Sequence, residues 1–415
     1  MKLSRFGQRY SGPSGIVDLM DDLGSALRDN PDLVMMAGGT PARIEAAELL
    51  FQRTLQTLLR DAEQTHQLLG RYQGPKGDLA ARGLLAAQLN ELYDWKLTPD
   101  HIAITNGGQS AFGLIANLLA GESDAGRRSI HLPLVPEYLG YADIGLDQPF
   151  FTATKPHIEL LPDNLFKYRL DMTATIPPQT AALCISRPTN PSGNVLSDAE
   201  VQSLDARARA QGVPLIIDAA YGLPFPGLHY GNDAQAYWSD NVILLLSLSK
   251  VGLPGVRSGF VVAKPEFIDA FSRANTILNL ASGNLGPALA SALLQNGELI
   301  RLSRDVLRPW YQAKAERAVQ LLRAALGDMP YRLHKPEGAF FLWLWLPTLP
   351  IDCHELYRRL RRQGLLAIPG ADSFIGLSEP WDHASQCIRL SYAVPDAALA
   401  QGAAILAKVL RECCG

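Results

Sequence analysis

Cysteine is scarce in this chain: five residues in 415, an odd number with no CxxC pair. That excludes a disulfide framework and a cysteine-built metal site, and it fits a reducing, cytoplasmic setting. Cys413 and Cys414 are expected in a frayed end. The eight histidines form no HExxH pair, so no metal is expected. Charge of one sign is also lacking. A net charge of −3 argues against nucleic-acid and membrane-surface partners. Long hydrophobic runs are missing as well. "AFFLWLWL" (339–346) falls far short of the roughly 20 apolar residues of a membrane span. The opening "MKLSRFGQRYSG" has neither an apolar core nor a small-residue cleavage site, so no secretory signal is expected. Repeats and low-complexity tracts are absent.

What is present is material for cores. With 47% hydrophobic and 19% charged residues over this length, one large domain and a smaller one are expected. From about residue 100 to 263, apolar runs alternate with helical stretches. "HIAIT" (101–105) leads into the glycine turn of "GGQSAFGLIANLLAG". "AALCIS" (181–186), "VPLIID" (213–218), "VILLLSLS" (242–249) and "SGFVVA" (258–263) read as further strands. Strands that are apolar throughout belong to a sheet covered on both faces, so the class is α/β with a mainly parallel central sheet. Ser197 and Glu200 are spaced as a capping box and predict a helix start. After about residue 300, strands and helices with short links predict a smaller α+β domain, with Pro309 as a kink or boundary. The expected division is an N-terminal arm, 1–45, joining the small domain; a large domain, 46–305; and a small C-terminal domain, 306–415.

In open α/β sheets, ligands collect at the carboxyl ends of strands. Lys250 follows "VILLLSLS", Asp218 ends "VPLIID", and "TNGGQS" follows "HIAIT". A lone lysine there reads most simply as a surface cap on a strand; its neighbours change that reading. An unperturbed lysine is neutral in about one molecule in 2,500 at pH 7, and bringing its pKa to neutrality needs roughly 4–5 kcal/mol of bias from burial and nearby cations. Arg257 stands seven residues on. Ser247, Ser249 and Arg257 then make an anion site, and the "TNGGQS" turn adds backbone N–H groups at a helix start. That turn matches neither GxxxxGK[ST] nor GxGxxG. A phosphate site beside a reactive lysine suggests pyridoxal 5′-phosphate, whose ring nitrogen needs a carboxylate partner. Asp218 suits that role, and Tyr221 and Asn190 suit its phenolic oxygen. Taken singly, Asp218 reads as a strand-end or helix-cap residue and Asn190 as a turn residue.

"RPTNPSGNV", "IIDAAYGLPFPG" and "LSLSKVGLPGVRSG" resemble the fold-type I, class I/II pyridoxal-phosphate-dependent aminotransferases. The intervals, 28 residues from Asn190 to Asp218 and 32 from Asp218 to Lys250, are similar to that family's. The resemblance implies the pyridoxal-phosphate-dependent transferase fold and makes Lys250 the lysine that condenses with the cofactor aldehyde. Asp218, Tyr221 and Asn190 become ring ligands; Ser247, Ser249, Arg257, Gly108 and Gln109 become phosphate ligands. Tyr138 matches the aromatic stacked on the ring. Tyr72 matches a tyrosine that reaches the neighbouring subunit's phosphate, which implies a homodimer with shared sites. Gly39, Asn190 and Arg389 are the implied substrate contacts, Arg389 gripping the α-carboxylate; by pattern alone an edge-strand surface cation is as good a reading of it.

"MMAGGTPARI", "YQGPKG", "PLVPEYLGYAD" and "HKPEGAFFLWLWL" narrow the resemblance to the valine–pyruvate aminotransferases. It implies amino acids and 2-oxo acids as substrates and a place in amino-acid metabolism, with alanine as a product. Thr40 and Ala219 depart from it, each standing where asparagine is expected. Two other readings stay open: a different enzyme on the same fold, such as an aromatic or 2-aminoadipate aminotransferase or a C–S β-lyase, and a non-enzymatic regulatory domain. Against the latter, the family pattern begins by about residue 35 and nothing basic precedes it.

Overall fold

The computed structural model describes residues 1–414 except 18, 22–23, 25–32, 125 and 232–233, so part of the expected 1–45 arm lies outside the described residues. The strands in chain order begin with β1 (Val34–Met35), β2 (Ile102–Thr105), β3 (Ser129–Leu132), β4 (Phe151–Ala153) and β5 (His157–Leu160). β6 (Leu165–Arg169), β7 (Thr180–Ser186), β8 (Leu215–Asp218), β9 (Val242–Ser247) and β10 (Gly259–Val262) follow. β11 (Arg332–His334), β12 (Phe341–Trp345), β13 (Leu365–Leu366), β14 (Ile368–Pro369) and β15 (Cys387–Ser391) complete the order.

The large sheet runs β2-β10-β9-β8-β7-β3-β4, and β10 alone opposes its neighbours. Every residue of β7 and β9 is buried. Side chains alternate between faces along a strand, so both faces are covered, as the unbroken apolar runs require. The helices Gly108–Leu119, Asp198–Ala210 and Pro265–Asn279 pack on this sheet. The second begins where its capping box predicts: Ser197 Oγ accepts the Glu200 N–H, and the Glu200 carboxylate accepts the Ser197 N–H. The fold is the expected mixed α/β arrangement around a mainly parallel sheet.

The second sheet runs β14-β15-β12-β11-β6-β5. Its membership is not collinear with the chain: β5 and β6 come from within 46–305, and β6 pairs with β11, which follows residue 305. β1 pairs with β13, which ties the described part of the expected 1–45 arm to this second unit. Around Pro309 the helical stretch widens into π turns at Leu302–Leu307 before the α-helix Arg308–Leu326. A proline ring crowds the carbonyl one turn back, and a wider turn relieves that contact. The C-terminus departs from expectation: the helix Asp396–Cys414 runs through the cysteine pair, and Arg359 Nη1 donates to Cys413 Sγ at 3.4 Å. Among the described residues no helix is long and apolar enough to cross a membrane.

β9 ends at Ser247 rather than at Ser249, because Ser247 Oγ accepts the Ser249 N–H at 3.1 Å and turns the backbone out of the ladder. Lys250 therefore rides on a short 3₁₀ turn, Ser249–Val251, beyond the strand. At the start of β10, a Cβ added to Gly259 would stand 2.7 Å from Leu246 O. Gly259→Ala should thus push β10 off β9 and destabilise the protein by about 1–3 kcal/mol. Urea unfolding measures this, and a wild-type midpoint would refute so close a fit between the two strands.

Candidate active site

Because β10 runs against its neighbours, Gly259 sits opposite Ser247 and Thr105, the last residues of β9 and β2. Arg257, just before it, is thereby delivered to the edge where the turns after β2, β8 and β9 gather. Its guanidinium lies over Gly107, where a Cβ would stand 2.6 Å from Nη2. Gly107 also has φ +91°, so glycine is required twice over. Gly108 opens the helix Gly108–Leu119, with nothing within 4 Å of where its Cβ would be. An open helix N-terminus beside a guanidinium and two buried serines, Ser247 and Ser249, suits an anion. Gln109 Nε2 donates to Gly140 O at 3.0 Å and ties this helix to the turn carrying Tyr138.

The Lys250 amine points from its turn to the Gly39 carbonyl, 2.7 Å away. It lies 5.5 Å from the centre of the Tyr221 ring and 5.8 Å from that of Phe340. Burial lowers its pKa to about 8, helped by Arg389 and Arg257 and opposed by Asp218. The shift corresponds to about 3 kcal/mol. It leaves roughly one amine in ten neutral at pH 7.

Asp218, at the end of β8, is half-buried, and loss of water around its carboxyl raises its pKa. Its Oδ2 accepts from Tyr141 Oη at 2.7 Å and its Oδ1 from the Ala220 N–H at 2.9 Å. Arg389 extends from β15, 3% exposed, with its guanidinium carbon 4.2 Å from the centre of the Phe341 ring. Nη1 donates to Asn190 Oδ1 and Nη2 to Ala37 O, both at 2.6 Å. Among the described residues its buried Nε has no hydrogen-bond partner, and burial pulls its pKa down to about 10. Burial raises the Tyr221 hydroxyl, whose ring stands edge-on to Phe340 and Phe341. Tyr138 meets Tyr141 edge-on, with 5.4 Å between ring centres.

The structure thus gathers Lys250, Asp218, Tyr221, Asn190, Tyr138, Arg257, Arg389, Gly39, Ser247, Ser249, Gly108 and Gln109 around one cleft. Tyr72 stands apart: it is 83% exposed and makes no hydrogen bond among the described residues. Thr40 lies beside Lys250 in a cavity that Tyr311 and Phe51 also line. Ala219 is buried, its N–H donating to Leu245 O at 2.9 Å. Three residues that the sequence did not single out belong here: Tyr141 and Glu137 beside Asp218, and Phe341 beneath Arg389. "PEYLGY" holds the first two, yet loop spacing carries no sign of which strand they will face.

The donor set fits an aromatic aldehyde bearing a phosphate: an open anion cradle, a buried carboxylate with no cation bonded to it, and an amine near neutrality. Among the described residues no cluster of three His, Cys, Asp or Glu side chains could hold a metal.

Labelling of Lys250 in the ligand-free protein by an amine acylating reagent, followed by peptide mass spectrometry, should rise with pH and level off above about 8. Arg389→Leu removes a cation that lowers this pKa, so the midpoint should move upward. A wild-type midpoint near the ordinary lysine value of about 10.4 would refute the burial argument.

The family model for aminotransferase class I and II matches residues 146–406. The valine–pyruvate aminotransferase of Escherichia coli K12 is 42% identical over 99% of this chain and 99% of its own length. The crystal structure of a valine–pyruvate aminotransferase from Salmonella typhimurium LT2 is 40% identical, with TM-score 0.89 over 96% of this chain and 99% of that one. A putative amino-acid aminotransferase from Psychrobacter arcticum 273-4 is 43% identical, with TM-score 0.96 over 100% of this chain and 99% of that one. The site and the chain around it belong to the class I and II aminotransferases.

Proposed function

We propose that this aminotransferase moves the amino group between valine or alanine and a 2-oxo acid such as pyruvate by ping-pong half-reactions, with pyridoxal 5′-phosphate as its cofactor. The observation that carries the chemistry is the Lys250 amine, buried near neutrality between Arg389, Arg257 and Asp218. The substrate reading rests on the 42% identity to the Escherichia coli enzyme over nearly the full length of both chains.

The cofactor, when bound, supplies an aldehyde that takes up amines and a ring that accepts the electron pair left at a substrate carbon. Ser247, Ser249, Arg257, Gly108 and Gln109 would hold its phosphate, Asp218 the proton on its ring nitrogen, and Asn190 and Tyr221 its phenolic oxygen. Tyr138 would cover the ring. With the cofactor bound, Lys250 Nζ would serve as the general base toward the substrate α-hydrogen and hold that proton. Arg389 and Asn190 orient the substrate carboxylate beside Gly39, which fixes the α-hydrogen toward Lys250. Tyr72, exposed on its own subunit, is assigned to the partner's site in a homodimer. We also propose a cytoplasmic setting and the division 1–45, 46–305 and 306–415, with the hairpin β5–β6 crossing to the second sheet.

Side-chain selectivity must come from apolar contacts, where one methylene is worth about 1–3 kcal/mol. With pyruvate as acceptor, valine should exceed alanine and 2-aminobutyrate modestly, and aspartate and tyrosine should be poor. Arg389→Lys loses the planar fork, so KM should rise for every donor alike. A panel of amino donors tests this; aspartate or tyrosine outpacing valine in kcat/KM would overturn the valine assignment and leave the aminotransferase standing.

The shared-site reading has its own test. Mixing Tyr72→Phe with Lys250→Ala subunits should restore activity above either parent, since one site of each mixed dimer then holds Tyr72 and Lys250 together. Mixed dimers without recovery would refute it.

A further inference from the structure

A second buried carboxyl lies behind Asp218. Glu137 is 1% exposed. Its Oε1 accepts the Ser186 N–H at 2.7 Å, and its Oε2 bonds Ser186 Oγ. Among the described residues no cation pairs with it. Ser186 stands in register with Asp218 across β7 and β8, and the Arg187 N–H donates to Asp218 O at 2.9 Å. Tyr141, the donor to Asp218 Oδ2, is acted on by both carboxyls.

Two carboxyls in one dry region do not both ionise near neutral pH; the less well supported keeps its proton. Asp218 has the Tyr141 hydroxyl, the Ala220 N–H and the attraction of Lys250. Glu137 has hydrogen bonds from Ser186 and the Tyr138 backbone, but it is buried more deeply than Asp218 and, among the described residues, no cation favours its charge. We propose that Glu137 is a positioning residue for Asp218: a neutral acid, bonded to Ser186, that leaves Asp218 as the single negative charge at the carboxyl end of β8. This inference rests on the reading of Asp218 as partner of the cofactor's ring nitrogen.

The surroundings of Glu137 support a retained proton. Burial pushes its pKa up to about 8, Asp218 adds to the rise, and hydrogen bonds from Ser186 and the Tyr138 backbone oppose it. Asp218 faces it from β8, Cys184 and Ser186 from β7, and Tyr138 and Tyr141 from the following turn. The turn Ala371–Ser373 meets it through Ser373 O, which accepts the Glu137 N–H at 2.8 Å; the charged residue of that turn, Asp372, is exposed and lies near His354. Because the folded pKa lies above the ordinary carboxyl value, the stability this group contributes is complete below about pH 4.3. It is lost as pH rises to about 8.

Three measurements test the proposal on Glu137→Gln and Glu137→Leu. In the ligand-free protein at pH 6, the infrared difference between wild type and Glu137→Gln should contain the carbonyl stretch of a carboxylic acid. A difference containing only carboxylate bands overturns the proposal. The urea midpoint of the wild type should fall relative to that of Glu137→Gln between pH 5 and 8, and parallel midpoints count against it. In the cofactor-loaded enzyme, Glu137→Gln should keep several-fold more kcat than Glu137→Leu, with KM little changed, because Gln still accepts the Ser186 N–H; equal kcat values refute a positioning role. Should Glu137→Leu not fold, the first two measurements still decide. Borohydride reduction of the loaded wild type, with the label located by peptide mass spectrometry, separates this inference from the cofactor reading. Labelling away from Lys250 defeats that reading without touching the infrared result.

Discussion

Removing one amine from water is the constraint on which this site depends. A charged lysine at the end of an apolar strand is costly, and the protein lowers the cost by shifting Lys250 toward its neutral form. Burial supplies most of that shift, and Arg389 and Arg257 add to it from either side. The two arginines come from different sheets, Arg389 from β15 and Arg257 from the turn before β10. Only β10, running against its neighbours, carries the second of them to the carboxyl ends of β2 and β9. The topology of a single strand thus enters the chemistry of a single nitrogen.

Opposite this amine the structure arranges negative charge sparingly. Asp218 is half-buried, with two hydrogen-bond donors and no bonded cation, which leaves it with a raised pKa and an appetite for a positive partner. Glu137, one strand away, would double that charge if it ionised. Desolvation acts on both groups and weighs more on Glu137, which lies deeper and has no counterpart to the attraction of Lys250 on Asp218. The pull of Lys250 on Asp218 alone therefore favours Asp218 as the charged carboxyl of the two.

Much of the fold was legible because burial on both faces leaves an unmistakable record. The runs that became β7, β8 and β9 are apolar at successive positions, and the capping box at Ser197 announced its helix. Lys250, Asp218 and Asn190 were legible because each follows or ends such a run, where side chains of open sheets face ligands. Glu137 and Tyr141 were not, since their partner Asp218 lies some 80 residues on and meets them only through the order β8-β7-β3. The place of β5–β6 in the second sheet was not legible for a similar reason: β6 pairs with β11, a contact between residues more than 160 apart. Strand ends were blurred at Ser249, where one hydroxyl outcompetes the ladder. Tyr72, exposed here, is a residue whose reading depended on the family resemblance alone.

The two cations proposed to meet substrate and cofactor are bridged by one short segment. Ala37 O accepts from Arg389 and Gly39 O from Lys250, two residues apart. Met36 anchors that segment to the second unit, its N–H donating to Leu366 O and its carbonyl accepting from Ser391. Any ligand at Arg389 must compete with neutral acceptors already in place, the Asn190 amide and the Ala37 carbonyl. Replacing a neutral acceptor by another neutral one gains little, whereas a carboxylate forms charge-assisted bonds roughly twice as strong. It also offers a second oxygen to the unpartnered Nε. Arg389 is therefore tuned to discriminate by charge before side-chain shape matters, and an amide or ester of the same amino acid would leave the existing contacts undisturbed.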